Sequence, residues 1–237
     1  MRRKEKGKEK GKEEDKSMEM ETERKMENET EMEKDEGMQD RKTRGGVSPF
    51  LFHEIPEYGY YLAISALKDL QVPDVASFLK DLRKNLYPVR VQVFDASKVA
   101  GWRHIYFATL FALKAFELGL NVSRELELEI LTIASCQRQI AKAIERLGLK
   151  DGTKIVALLL LAEDPKALEL ATSKLEASYG DRLSPACLDP SSDRLEDLKA
   201  LFEISDIQLA AEAEAKNPQK ALGNLIIEKM SIQLGRR

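Results

Sequence analysis

The chain has 237 residues, with 38 Lys and Arg against 41 Asp and Glu, a formal net charge of −3. That near-balance excludes a surface that attracts nucleic acid everywhere, so any such contact needs a local patch. Two cysteines exclude a disulfide framework and a C-x-x-C metal pair, and the longest apolar run, residues 155–162, is far too short to cross a bilayer.

Residues 1–46 read as a disordered charged tail. The first 44 hold 14 Lys and Arg, 15 Asp and Glu, no aromatic residue and six of the seven methionines, so they cannot bury enough apolar surface to offset chain entropy. Their charge is blocked, mostly basic over 1–12 and mostly acidic over 13–36. Such a segment is a solvated extension or an interaction tail. Met38 is an alternative start for a chain that folds almost at once. The lysine-rich beginning lacks a following apolar stretch, so it is not a secretory signal. A soluble cytoplasmic protein without membrane contact is expected. The wealth of Glu, Lys and Arg beside few Asn, Gln and His leans towards a thermophile.

Residues 47–237 form one domain with a formal charge of −2 over residues 45–237. Strands are predicted over 50–55 and 60–67, joined around Pro56 and Gly59. Pro73 opens a helix to about 86, with Val75, Phe78, Leu79 and Leu82 at core spacing. After Pro88, Val89, Val91 and Val93 alternate with Arg90, Gln92 and Phe94, the period of a half-buried strand. A helix over 102–118 is apolar nearly all round and is expected between layers. One row holds Trp102, Ile105, Tyr106, Thr109, Leu113 and Phe116; the other holds Phe107, Ala108, Phe111, Ala115 and Leu118. Gly119 stops it in a positive-φ cap, and Ser123 opens the next helix. There Leu126, Ile130, Leu131 and Ile133 supply the core face, with Glu127 and Glu129 off it. A third helix over 137–147 buries Ile140, Ile144 and Leu147 and closes at Gly148, while Arg138, Lys142 and Arg146 stack by fours on its other side.

Residues 153–161 are short and apolar enough for a strand buried on both faces. Asp164 and Pro165 start a helix that runs to about 179. Residues 185–192 are a loop with a short edge strand at 186–188. Helices over 193–202, 206–216 and 218–234 close the chain. The fold class is α/β, a single domain with a small mixed sheet covered by helices.

No phosphate-binding G-x-x-x-x-G-K-[ST], dinucleotide G-x-G-x-x-G, H-E-x-x-H or nucleophile elbow is present. No catalytic residue, cofactor or metal is assigned. The two histidines, His53 and His104, lie far apart in sequence. What packing does not require is the run Gln137, Arg138, Gln139. Arginine forks onto phosphate, a helix start offers free amides, and Gln can bond a base edge or sugar, so Arg138, Gln139 and Lys142 suit a nucleic-acid end. The other reading of them is a solvated helix face beside Glu145.

VFDASKVAG before a helix opening Arg103, His104, Ile105, with Ala108 and Ala112 three and seven residues on, resembles a known family. Asn121, Val122 and Ser123 before Glu129, Ile130 and Leu131, then SCQRQIAKAIERLG from Ser135 and IIEKM from Ile226, complete the pattern. They resemble the PRPK-binding (TPRKB-like) subunit of the KEOPS complex over about residues 50–234.

The resemblance implies a non-catalytic accessory subunit of the complex that forms threonylcarbamoyladenosine in tRNA. It would bind and help activate the small atypical kinase/ATPase subunit, and through it serve the threonylcarbamoyl transferase subunit. It would recruit tRNA by the single-stranded 3′ CCA end, with Gln137, Arg138, Gln139, Lys142 and His104 as the RNA-binding set. Taken alone, His104 is a hydrogen-bonded structural histidine. Trp102 and Tyr106 are stacking groups or core, and Glu129 orients Arg138 or is solvated. At Cys136 the family pattern calls for glycine or another small residue, and the thiol reads as buried and inert.

On a helical wheel Leu222, Leu225, Ile226, Met230 and Leu234 form a stripe that Ile227 widens beyond the roughly 100° one core-facing helix needs. The resemblance makes Leu222, Ile226, Ile227 and Met230 the kinase interface; the alternative is that the whole arc is buried in the domain. A kinase-binding regulator with no RNA contact is the second functional reading, and a small enzyme of unrecognised type is the third.

Overall fold

The structure is a computed structural model that describes residues 42–43, 46–70, 72, 74–212 and 217–236. The predicted tail falls almost wholly outside them, as does Pro73. A two-residue hairpin, Lys42–Thr43 with Gly46–Val47, precedes the main sheet.

Four strands build that sheet: β1 (Leu51–Ile55), β2 (Tyr60–Leu67), β3 (Arg90–Asp95) and β4 (Val156–Ala162), in the order β1–β2–β4–β3. The expectation from sequence is a mixed sheet, and β2, helix α1 (Val75–Leu86) and β3 do make a crossover. β4 instead inserts between β2 and β3 and runs antiparallel to both, so among the described residues the sheet is antiparallel throughout.

All seven residues of β4 are buried, which explains its uninterrupted apolar run. Its side chains alternate between two cores. Ala157, Leu159 and Leu161 join Leu62, Ile64 and Ala66 on one face; Leu158 and Leu160 join Ala63, Val91 and Val93 on the other. At about 2 kcal/mol for each fully buried leucine, β4 contributes to both cores at once.

Helices α1 and α5 (Pro165–Tyr179) cover the second face. The first face carries α2 (Trp102–Glu117), α3 (Leu126–Ala134), α4 (Ile140–Leu147), α6 (Ser192–Phe202), α7 (Asp206–Glu212) and α8 (Pro218–Gly235). Asp74 and Asp164 cap α1 and α5 by accepting first-turn amides. α2 buries Ile105, Ala108, Thr109, Ala112 and Leu113, but Phe107, Phe111 and Phe116 are half-buried and Leu118 is 53% exposed, so it is not enclosed all round as its composition predicts. The predicted edge strand at 186–188 is a 3-10 turn, Pro185–Leu188, because Pro185 opens it and Cys187 N–H returns to the Ser184 carbonyl at 3.2 Å.

α3 begins three residues after Ser123. The Glu129 carboxylate takes the amides of Val122 at 2.8 Å and Ser123 at 2.7 Å, and the Ser123 hydroxyl takes the amide of Glu125 at 3.1 Å. Glu129 is fully buried on the core side of α3, which corrects its reading as a solvated carboxylate lying off that face. In α4 the core positions are Ala143 and Leu147, with Ile140 half-buried; Ile144 is 45% exposed, against expectation, because the helix turns its i, i+3, i+7 row inward.

Two side chains pin the loop that leads into α2. Arg194 of α6 donates to the carbonyls of Ala96, Ser97, Val99, Cys187 and Asp189, tying the 96–99 and 187–189 loops together. His104 is buried beneath them: its Nδ1 accepts from the Ala100 amide at 3.2 Å and its Nε2 donates to the Ala134 carbonyl at 2.9 Å.

Burial holds His104 at a pKa of about 4, well below the ordinary 6.5, and does the same to His53. Between those values the unfolded chain binds protons that the folded chain refuses, so stability is full above pH 6.5 and falls as pH falls towards 4. For His104 this amounts to roughly 3 kcal/mol. His104→Gln keeps one donor and one acceptor without the titration. Urea unfolding at pH 7 and pH 4.5 should show the wild type losing roughly 2 to 3 kcal/mol more than this variant; equal losses contradict a neutral buried His104.

Candidate functional site

The Gln137–Arg138–Gln139 run is the turn between α3 and α4. At the end of α3 the Cys136 amide bonds the Ile133 carbonyl at 2.9 Å, and the Gln137 amide bonds the Thr132 carbonyl at 3.2 Å. This crossed pair is the Schellman ending, which needs a left-handed residue at its centre. Cys136 fills that position with φ +52°. The glycine expected there has a physical reason: an L side chain in this region costs about 1–2 kcal/mol. Gly119 makes the same ending on α2 with φ +67°, and Glu203 makes it on α6 with φ +54°.

The remaining carbonyls of the turn are taken by side chains from three other helices. His104 of α2 donates to Ala134 O, Arg146 of α4 to Ser135 O at 3.3 Å, and Gln233 of α8 to Gln137 O. Gln137 bonds the Cys136 carbonyl with its own side chain at 3.1 Å. Every carbonyl from Leu131 to Gln137 thus has a donor. A charged pair of contacts backs the arrangement: Glu203 meets Arg146 at 3.6 Å and Lys229 at 3.7 Å, and Lys229 also bonds the Phe202 carbonyl.

This geometry sorts the RNA-binding set. Arg138, Gln139 and Lys142 are exposed around the start of α4, where no side chain caps the first-turn amides. Arg138 also reaches the Arg236 carbonyl at the end of α8 at 3.3 Å, where a helix terminus favours a cation. Gln137 is half-buried and spends its side chain on the turn itself. His104 is enclosed and bonded at both ring nitrogens, so it is a structural histidine and does not reach a ligand. Arg146 leaves the expected line of three cations, drawn inward by Ser135 O and Glu203.

Trp102 and Tyr106 are half-buried and pack on His53 of β1; the Trp102 ring stacks on it with centroids 4.6 Å apart. Burial pushes the Cys136 thiol up to about 12 despite Lys229 and Arg146 nearby, which makes it inert at neutral pH. Among the described residues no three His, Cys, Asp or Glu side chains are grouped to hold a metal, and no helix is long and apolar enough to cross a membrane.

Residues 71–234 match the family described as kinase binding protein CGI-121. The chain belongs to that family. Regulatory protein Cgi121 of Methanocaldococcus jannaschii is 27% identical over 116 residues, which are 49% of this chain and 72% of that protein. The TPRKB-like resemblance read from the motifs is this CGI-121 relationship.

In this CGI-121 chain the kinase-interface set divides. Leu222, Ile226 and Met230 are fully buried in the chain's own core, correcting their placement on an open face; only Ile227 is partly accessible. The accessible apolar residues of α8 flank the buried stripe, Ile227 and Leu234 on one side and Leu225 and Ile232 on the other, with Ile232 45% exposed. Gln233, Arg146 and Glu203 are the positioning residues that the sequence pattern did not reveal. The glutamine at 233, on the 222–226–230 stripe of α8, was the available signal.

The Schellman ending predicts opposite effects of two substitutions. Cys136→Gly removes the left-handed strain and loses a small apolar contact, so stability should stay the same or rise by up to about 1 kcal/mol. Cys136→Val places a β-branched side chain at φ +52° and should lose about 2 kcal/mol or more. Thermal unfolding checks both; a glycine variant several degrees less stable than wild type contradicts the assignment.

Proposed function

We propose that this chain is a non-catalytic, kinase-binding accessory subunit of a KEOPS-type machinery that forms threonylcarbamoyladenosine in tRNA. In this reading it binds and activates the small kinase/ATPase subunit and presents tRNA by its 3′ CCA end. The observation that carries the reading is the CGI-121 match across residues 71–234. The relative's description as a regulatory protein supports a role exercised on a partner's chemistry.

The kinase would dock on α8 along the flanks of its buried stripe, since apolar residues at helical spacing suit recognition by a groove. Ile232→Glu puts a charge on the exposed flank. Pull-down with the purified kinase subunit should lose at least tenfold in affinity while the melting temperature stays within a degree or two. Met230→Glu, in contrast, buries an unpaired charge and should unfold the chain. Normal kinase binding by Ile232→Glu places the partner elsewhere.

The RNA end would lie on the turn before α4. Arg138 and Lys142 bring two cations to one side of an uncapped helix start, Gln139 adds an amide between them, and Lys142 has no protein partner among the described residues. Replacing both Arg138 and Lys142 by Ala should weaken tRNA binding and flatten the log–log salt dependence by about 1.4, at about 0.7 per lost single-strand contact. An unchanged slope and affinity would leave the chain as a kinase-binding regulator without RNA contact.

A further inference from the structure

A groove of about 550 Å³ opens at the other end of α3, between the C-terminal end of α1, the first residues of β3 and the β4–α5 connection. Its volume falls in the range of small-molecule sites. Three carboxylates line it, and each is already engaged. Glu127 meets Arg90 at 3.3 Å, Glu163 accepts from the Tyr60 hydroxyl at 3.1 Å, and Asp164 accepts the Lys166 amide at 3.0 Å in capping α5.

Two groups in the groove are unengaged. Arg83 makes no hydrogen bond or ion pair among the described residues, and Tyr87, the first residue past the end of α1, is 82% exposed with no partner among them. A guanidinium and an aromatic face four residues apart, beside carboxylates that retain free lone pairs, form a particular combination. The guanidinium suits a phosphate, the ring suits a nucleobase, and the carboxylates suit ribose hydroxyls.

We propose that this groove binds one ribonucleotide unit, its base stacked on Tyr87, its phosphate on Arg83 and a ribose hydroxyl on Glu163. The inference does not rest on the Arg138 turn. α3 separates the two sites: Glu127 in its first turn faces the groove, and Ser135 begins the turn after its last residue, roughly 12 Å away at 1.5 Å per residue. The same chemistry is offered by a free nucleotide and by one unit of an RNA strand.

Titration calorimetry on the full chain distinguishes the sources, with adenosine monophosphate as one probe and a hexanucleotide of adenylate as the other. Using the Arg138→Ala/Lys142→Ala background removes the other candidate contact. In that background at least one probe should bind with a dissociation constant below a millimolar. Tyr87→Ala and Arg83→Ala, both at exposed positions, should each weaken it about tenfold or more without changing the melting temperature. Binding of the monophosphate identifies a free-nucleotide site; binding of the hexanucleotide alone identifies a strand subsite. Absence of binding by both probes, or affinity unchanged in both variants, overturns the proposal and leaves the reading of the Arg138 turn untouched.

Discussion

The end of α3 has to satisfy a row of carbonyls that no helical turn can reach, and the candidate site depends on how it does so. An uncapped helix end in water would solvate them; this one lies against α2, α4 and α8, where an unpaired carbonyl costs about 1–3 kcal/mol. Donors therefore come from His104, Arg146 and Gln233, one from each neighbouring helix. The turn they fix leaves Arg138, Gln139 and Lys142 outward with their backbone held in place. Preorganisation of this kind lowers the ordering cost of binding.

α8 joins that turn to the proposed partner surface. Its stripe of Leu222, Ile226 and Met230 closes the core, its last turn holds Gln137 and Arg138, and its flanks carry the accessible apolar residues. A kinase seated along those flanks would lie beside the turn, so one rigid element positions both proposed contacts. Glu203, in the left-handed turn after α6, adds a pair of cation contacts from Arg146 and Lys229 that lock α4 and α8 to each other. These pairs are partly exposed and contribute little to stability. Their effect is on geometry.

How far this was legible in the sequence depended on whether the deciding interaction was local. Gly119 announced the end of α2 because glycine is the usual left-handed residue; the same ending at Cys136 and Glu203 carries no such mark. The strand at Arg90–Asp95 and the cap at Asp164 are local and were readable, although Gln92 and Phe94 are buried where the alternation made the strand half-buried. The insertion of β4 between β2 and β3 pairs Tyr61 with Ala162 across a hundred residues, and nothing in either segment specifies that partner. Ile144 and Ala143 were indistinguishable by periodicity, and packing chose the smaller residue for the core. The exposed cations were visible as a pattern, whereas the fates of Gln137, His104 and Arg146 required the carbonyls they serve. The family match rests on motifs; which faces remain open rests on tertiary contacts.

Recognition of a tRNA end is the claim on which the proposed role turns. The most direct measurement is a mobility shift with the purified chain alone and two tRNAs that differ only in the terminal CCA. The proposed arrangement predicts a shift with the intact tRNA, weakened at higher salt, and none with the truncated one. Equal shifts, or no shift with either, would contradict it.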